Sequence, residues 1–395
     1  MSMAPRSRSS KAVANDAAIR EAGVNEIVRV GVDRLSLREV GAHAGLTHGA
    51  TYARHEDAHD FLADLWNVTL SVAASDLMEM CTRAAEDPSA LSVGALLARL
   101  REHRHADRAA VEVLLASRRI PVLHEVVESF IDKNLVSPMD AASGMAETFS
   151  RFLFLVAVSL SCALIGEGFA GNLVHDLESI LVRALRTTSG DAPSPTTPVR
   201  GSRPIVAGNS LRQELEYATC LAVGRSGYHG ATISRIARIA DCSPGAIYKM
   251  YKSKEDLVVA TFGDTGGLRW IGFSDLARVL EPGVLSSLLT HECGEANALR
   301  RNFLLEMVLA AHDARLSSVV GEQMADPMGT ITRAVAGNVK GETLRRVIEP
   351  IAILINGMRW LTTISPHVQW HDFSKAAESY RLSIIAENRR GGGIV

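Results

Sequence analysis

The chain has 395 residues, 47% of them apolar, with 42 Lys and Arg set against 44 Asp and Glu. That length and apolar share suit two or three domains, each with its own core. A net charge of −2 excludes the globally basic profile of a non-specific nucleic-acid binder, so any DNA contact must come from local patches. The five cysteines (Cys81, Cys162, Cys220, Cys242 and Cys293) are odd in number and widely spaced. They argue against a disulfide frame or a zinc knuckle and for a reducing, cytoplasmic setting.

Residues 1–14, rich in Ser and Arg, read as a disordered basic tail. Arg6, Arg8 and Lys11 lead into no apolar segment, so no secretory signal is expected. Helical patterning then fills a small segment over 15–66 and a longer one over 67–187. The stretch 152–165 is the most membrane-like, but Ser159 and Ser161 interrupt it and it falls short of the ~20 apolar residues of a bilayer span. It is expected to be a buried bundle helix, and no membrane partner is expected. Residues 188–209 carry Pro193, Pro195, Pro198 and Pro204 among Ser, Thr and Gly, the composition of a semi-extended linker. A second small helical segment covers 210–260 and a second longer one 261–390. No stretch alternates with period two, so an all-α fold is expected.

The chain repeats itself. Residues 31–61, GVDRLSLREVGAHAGLTHGATYARHEDAHDF, align without a gap over 227–257, GYHGATISRIARIADCSPGAIYKMYKSKEDL. Gly31/Gly227, Ala44/Ala240, Gly49/Gly245, Ala50/Ala246, Tyr52/Tyr248 and Asp60/Asp256 are identical, while Ser36/Thr232 and Thr47/Ser243 match in type. The spacing is far beyond the 20 to 50 residues of a solenoid unit and indicates a duplicated domain. Similarity continues from EVLLASRRIPVLHEVV (112–127) to EMVLAAHDARLSSVV (306–320), and each half ends in two long apolar helices, over 144–165 and 173–185, then 342–363 and 374–387.

In the second copy, Leu211, Leu215, Ala218 and Ala222 fall at helical spacing, and Gly227 permits a turn. Thr232 is a good N-cap, and Ile233, Ile236, Ala237 and Ala240 form one apolar face of a short helix. Ser243 caps the next, with Pro244 at its first position, where a missing N–H costs nothing. Ser253 caps a fourth. Two short helices joined tightly, the second opening on small residues, suit a major groove about 12 Å wide. Gly245 and Ala246 leave room for close approach. Tyr248, Lys249, Lys254 and the Thr232 hydroxyl are in reach of phosphates, which helix N-termini favour in any case.

Those residues resemble the DNA-binding signature of the TetR (tetracycline-repressor) family: Thr232, Ser243, Gly245, Tyr248, Tyr251, Lys254 and Leu257 stand where its pattern expects them. The resemblance implies an all-α chain of two tandem TetR-like units. Each would have a three-helix helix-turn-helix head (15–66 and 210–260) and a helical ligand-binding and dimerisation domain (67–187 and 261–390). It also implies a ligand-responsive repressor of double-stranded DNA with a small-molecule effector. The apolar helix pairs, which join two chains in single-unit relatives, are expected here to join the two halves of one chain as a pseudo-dimer. A homodimer stays open.

The first copy departs from the pattern. His55 stands opposite Tyr251 and Ala58 opposite Lys254. The segment 19–66 holds five Arg against eight Asp and Glu, whereas 205–260 holds seven Lys and Arg against five Asp and Glu. Phosphate affinity follows cationic charge, so the first head should bind DNA more weakly, through Ser36, Thr47, His48, Gly49, Tyr52 and Arg54, or serve as a degenerate scaffold. Two unlike heads predict an asymmetric operator. The alternative is a ligand-sensing or interaction protein in which only the second head reads DNA, within a homodimer.

Other patterns weigh less. His55–His59 spells HExxH, but the repeat places it at a helix junction, where a continuous zinc-binding helix is not expected. The GxGxxG at 166–171 follows a helix with no βαβ unit around it, so it reads as a helix–helix turn. His103 and His105 sit in the charged stretch 99–108, read as a solvated helix face. Phe303, Met307, Asn356, Arg359 and Trp360 are candidates for the effector cavity, with Arg359 as the polar anchor for an acidic ligand. No catalysis, cofactor or metal is expected.

Overall fold

The computed structural model describes residues 10–137, 146–165, 173–187, 194, 198–199, 204–265, 278–313, 316–318, 341–365, 368 and 374–390. Among these, every regular element is helical. The first half contains α1 (Ser10–Val30), α2 (Leu37–His43), α3 (His48–Tyr52) and α4 (Ala58–Leu65), which passes through a π-turn (Trp66–Leu70) into α5 (Ser71–Glu86). It continues with α6 (Ala90–Arg101), α7 (His105–Ala116), α8 (Pro121–Ile131), α9 (Ala146–Ile165) and α10 (Leu173–Arg186). The second half contains α11 (Leu211–Gly230), α12 (Ile233–Ile239), α13 (Pro244–Tyr248), α14 (Lys254–Thr265), α15 (Val284–Cys293), α16 (Ala298–Leu309), α17 (Gly341–Ile364) and α18 (Ser374–Arg390).

Local chemistry sets these ends. At α6, Ser89 and Ser92 cap each other's backbone amides in a capping box, and Val93, Leu96, Leu97 and Leu100 bury one stripe. Pro121 opens α8 from its first position. Helix α9 is different: residues 153–158 are all fully buried, so it is covered on every side. Its window 147–164 is long and apolar enough to cross a membrane by length and composition, with a mean hydropathy of 1.5. Two-thirds of that window is nevertheless buried inside the protein, against α5, α7 and α17.

The two halves pack through their terminal helices. Helix α9 lies on α17 and α10 on α18, with further contacts of α10 to α17 and α9 to α18. The approach of α9 to α17 is close: a Cβ on Gly357 would fall inside the backbone carbonyl of Ala157. Phe154 and Tyr380 meet edge to face at 5.2 Å, and the Tyr380 hydroxyl donates to the Pro350 carbonyl at 3.1 Å. One apolar core runs through the first half into α15, α17 and α18, and a second holds α11 to α14 together with α16.

Contacts at the base of the heads are reciprocal. Glu306, on α16, accepts from Arg118 at 2.7 Å and Arg119 at 2.9 Å, the two residues that follow α7. The aligned Glu112, on α7, meets His312, just beyond α16, at 2.9 Å. Gly31 and Gly227 adopt one backbone conformation, φ 81 and ψ 164 against φ 72 and ψ 166. Each faces residues of the other half. A Cβ on Gly31 would stand 2.8 Å from the His312 ring, and one on Gly227 2.9 Å from the Arg119 guanidinium and 2.6 Å from Asp33 Oδ2. Aligned positions of the two halves thus meet in both directions, Glu112 with His312 and Glu306 with Arg118.

The stretch 99–108 is not a single solvated face. It breaks between α6 and α7, and Arg99 is drawn inward to Asp107, at 2.9 and 2.7 Å. The break lets two residues eight apart in sequence meet, so the partly buried guanidinium is held by charge-assisted hydrogen bonds. The HExxH stretch likewise straddles a junction, since α4 begins only at Ala58. The GxGxxG segment lies outside the described residues.

Candidate nucleic-acid interface

The second head is assembled from caps. Thr232 is extended, and its Oγ1 accepts from the Arg235 amide at 3.2 Å, which starts α12. Ile236 and Ala237 bury the inner face of α12. Asp241 takes a left-handed φ of 47° to make the turn, a conformation Asp tolerates better than most residues. The Ser243 Oγ then accepts from the Ala246 amide at 3.2 Å, with Pro244 in the first turn of α13. Ile247 is fully buried and pins this short helix to the head. Its anchoring leaves Ser243, Pro244, Gly245, Tyr248 and Lys249 on the outside, with Ala246 half-buried. Tyr248 is 56% exposed, a large aromatic surface left on the outer side of a capped helix.

Lys254 behaves differently from its neighbours. Its Nζ donates to the Tyr228 carbonyl at 3.0 Å and stands 4.1 Å above the Tyr228 ring. Burial holds its pKa below the ordinary lysine value. The Tyr228 hydroxyl in turn donates to Glu255 at 3.2 Å. In this conformation the ammonium ties α14 to the end of α11, and α14 opens on a reciprocal cap. There the Ser253 Oγ accepts from the Asp256 amide, and Asp256 accepts from the Lys252 amide.

The first head repeats the framework. Asp60 accepts from the Glu56 amide at 3.0 Å, as Asp256 does from Lys252. Gly45, with φ 68°, sits where Asp241 does. Asp57 caps α4 by accepting from the His59 and Asp60 amides. The reading helix is less well made, however. Ser36 and Thr47 make no side-chain cap. Thr51 takes the place of Ile247, fully buried, with a hydroxyl that has no hydrogen-bond partner among the described residues. Tyr52 is 45% exposed, and Thr47 and Gly49 also lie outside. Arg54 is engaged within the head, donating to Asp16 at 2.8 Å and to the Ala50 carbonyl at 2.6 Å. His48 opens α3, and its side chain lies outside the described residues.

The five effector candidates divide between two places. Phe303 and Met307 are fully buried in the second head's core, with Phe303 beside Phe262. Trp360 lies in the large core, and Arg359 reaches Glu292 at 2.5 Å and Asn356 at 3.3 Å. Two described cavities lie in the first half. One, among α5, α7 and α9, is lined by Leu77, Met78, Cys81, Leu114 and Leu160 and measures about 10 Å³, too small for an organic ligand. The other, of about 340 Å³, opens at the α6–α7 break. Periodicity did not signal it, because the break that forms it interrupts an otherwise helical pattern. Among the described residues, no group of three or more His, Cys, Asp or Glu converges on a metal position.

Residues 222–261 match the family described as bacterial regulatory proteins, tetR family. The matched span runs from the second half of α11 through α12 and α13 into α14, and so contains the whole exposed reading face. The match supports membership of the TetR family and gives this head the character of a DNA-binding transcriptional regulator's. No curated protein matches the chain.

Proposed function

We propose that the chain is a ligand-responsive transcriptional repressor that reads double-stranded DNA through two non-identical heads carried on one polypeptide. The observation that carries this reading is the outer face of α13: Ser243, Pro244, Gly245, Tyr248 and Lys249 project from a helix anchored by the buried Ile247. A Cβ on Gly245 would meet only the Ser243 Oγ, at 3.8 Å, so the bare backbone there serves approach to a groove and not internal packing. Thr232, Ala246 and Lys254 complete the second head's DNA contacts. Ser36, Thr47, His48, Gly49, Tyr52 and Arg54 form the weaker first set. For Lys254 and Arg54 this requires exchange of their present internal partners for phosphate.

The reciprocal Glu112–His312 and Glu306–Arg118/Arg119 contacts support an intramolecular pseudo-dimer, with α9, α10, α17 and α18 as its four-helix core. A monomeric pseudo-dimer holds its heads in fixed register without mass action, so DNA affinity is independent of self-association. The effector acts by binding one head arrangement better than another. Phe303, Met307, Asn356, Arg359 and Trp360 remain its candidate contacts in the second half.

Titration of the chain into DNA from its own upstream region at two salt concentrations tests the reading. A specific, salt-sensitive shift is expected. Lys249→Ala should reduce the salt slope by about one, and Tyr248→Ala should weaken binding more than Tyr52→Ala. Binding equal for all sequences overturns the regulator. Site selection from random DNA should return two unlike half-sites, and near-perfect inverted repeats would refute the asymmetric operator. The uncapped α3 and the buried Thr51 hydroxyl favour one second reading, in which the first head is a built-in partner and only the second contacts bases. Unchanged affinity in Tyr52→Ala and Arg54→Ala supports it.

A further inference from the structure

The α6–α7 break forms the larger described cavity, about 340 Å³, between the first head and its helical domain. Its walls come from three directions: Val28 on α1, Leu100 on α6 and Ala163 on α9 give an apolar side. The other side is cationic. Arg99 is saturated by Asp107 and also approaches Asp76 at 3.6 Å, so the floor offers no free cation. Among the described residues, Arg108 uses only its Nε, on Glu112 at 3.0 Å, which leaves its two terminal amino groups for another acceptor. Arg104 is exposed and, among the described residues, makes no ion pair. It also holds the N-cap position of α7, where its side chain offers no oxygen to the first-turn amides. His103 on the rim has a φ of 45°. A left-handed non-glycine at a cleft is backbone strain of the kind that accompanies sites.

We propose that this cleft binds a small organic anion, one carboxylate on a compact apolar body. The carboxylate pairs with Arg104 and the free amino groups of Arg108, in the bidentate manner that guanidinium favours. The apolar body lies against Val28, Leu100 and Ala163. The volume falls within the range of small-molecule sites. The cleft also touches what a regulator must move. His105 contacts Asn25 of α1 at 2.7 Å. Arg108 shares Glu112 with His312 of the other half. An anion on Arg108 changes the charge beside Glu112 and so shifts the Glu112–His312 tie between the halves. This last step rests on the ligand-responsive reading above, whereas the binding itself does not.

Isothermal titration of the full chain, without DNA, tests the site with benzoate, phenylacetate and hexanoate. Benzyl alcohol is the neutral control and inorganic phosphate the bare-anion control. At least one carboxylate should bind, benzyl alcohol should not, and Arg104→Ala should weaken binding about tenfold, the loss of one charge-assisted contact. Arg104 is exposed, so that variant retains the fold. The proposal fails if no carboxylate binds better than benzyl alcohol, or if Arg104→Ala binds equally well. Phosphate binding as tight as the best carboxylate overturns the apolar part of it. A separate DNA titration without ligand reports on the heads alone, so silence in one experiment leaves the other informative.

Discussion

Glu306→Ala is the sharpest probe of how the halves are joined. Glu306 is 1% exposed and takes three hydrogen bonds, one from Arg118 at 2.7 Å and two from Arg119 at 2.9 Å. Burial pushes its carboxyl above the ordinary glutamate range despite both guanidiniums, so the network is held at a desolvation cost. Removing the carboxylate strands Arg119, 6% exposed, with Asp33 alone at 2.7 Å. Arg118 keeps only the Gly224 carbonyl, at 2.9 Å. Breaking a buried pair costs about 3–5 kcal/mol. Arg119 retains Asp33 and Arg118 is partly solvated, so we expect the low end, about 3 kcal/mol. At roughly 2 °C per kcal/mol for a unit of this size, the Tm falls by about 6 °C, read by circular dichroism on heating. Replacing all three charges together (Glu306→Met, Arg118→Met, Arg119→Leu) removes the stranded cations and should recover most of that loss. A drop below about 1 °C in Glu306→Ala, or a triple variant less stable than the single one, would refute the claim that this cluster bridges the halves.

Three further outcomes follow from the packing. Gly357→Ala forces a Cβ into the Ala157 carbonyl and should cost on the order of 3 kcal/mol by overpacking; Gly49→Ala, with nothing within 4 Å, should leave the Tm unchanged, and equal effects would contradict the α9–α17 contact. Thr51→Val removes a buried hydroxyl without a partner and should stabilise the first head by about 1 kcal/mol, measured as higher hydrogen-exchange protection in α2 and α3; lower protection there would count against the assignment. Burial pushes the Cys81 thiol up to about 12, so its reactive thiolate is scarce throughout the neutral range and appears only as pH rises toward that value. In the native chain an aromatic disulfide reagent should modify the half-buried Cys242 ahead of Cys81, and Cys242→Ser should abolish that early phase. Early Cys81 labelling would mean that the first-half core opens readily.

What the sequence determined by itself is local. Capping oxygens at Thr232, Ser243 and Ser253, Pro244 at a first helical position and a 3.6-residue apolar period each act within a few residues, so the second head and the all-helical class were legible without coordinates. The gap-free repeat likewise paired Gly31 with Gly227, and the two share one backbone conformation, because a positive φ is a property of a single residue and its turn. Tertiary structure decided everything that depends on distant partners. It turned Lys254 onto Tyr228, since an ammonium beside a ring and a carbonyl is already satisfied within the head. It moved Phe303 and Met307 into the head's core and gave Arg359 to Glu292, because burial follows from which helices meet and not from spacing along one of them. It also broke the 99–108 stretch, where Arg99 and Asp107 meet across the break and a cleft lies beside α1, a contact between residues too far apart in sequence for local pattern to show.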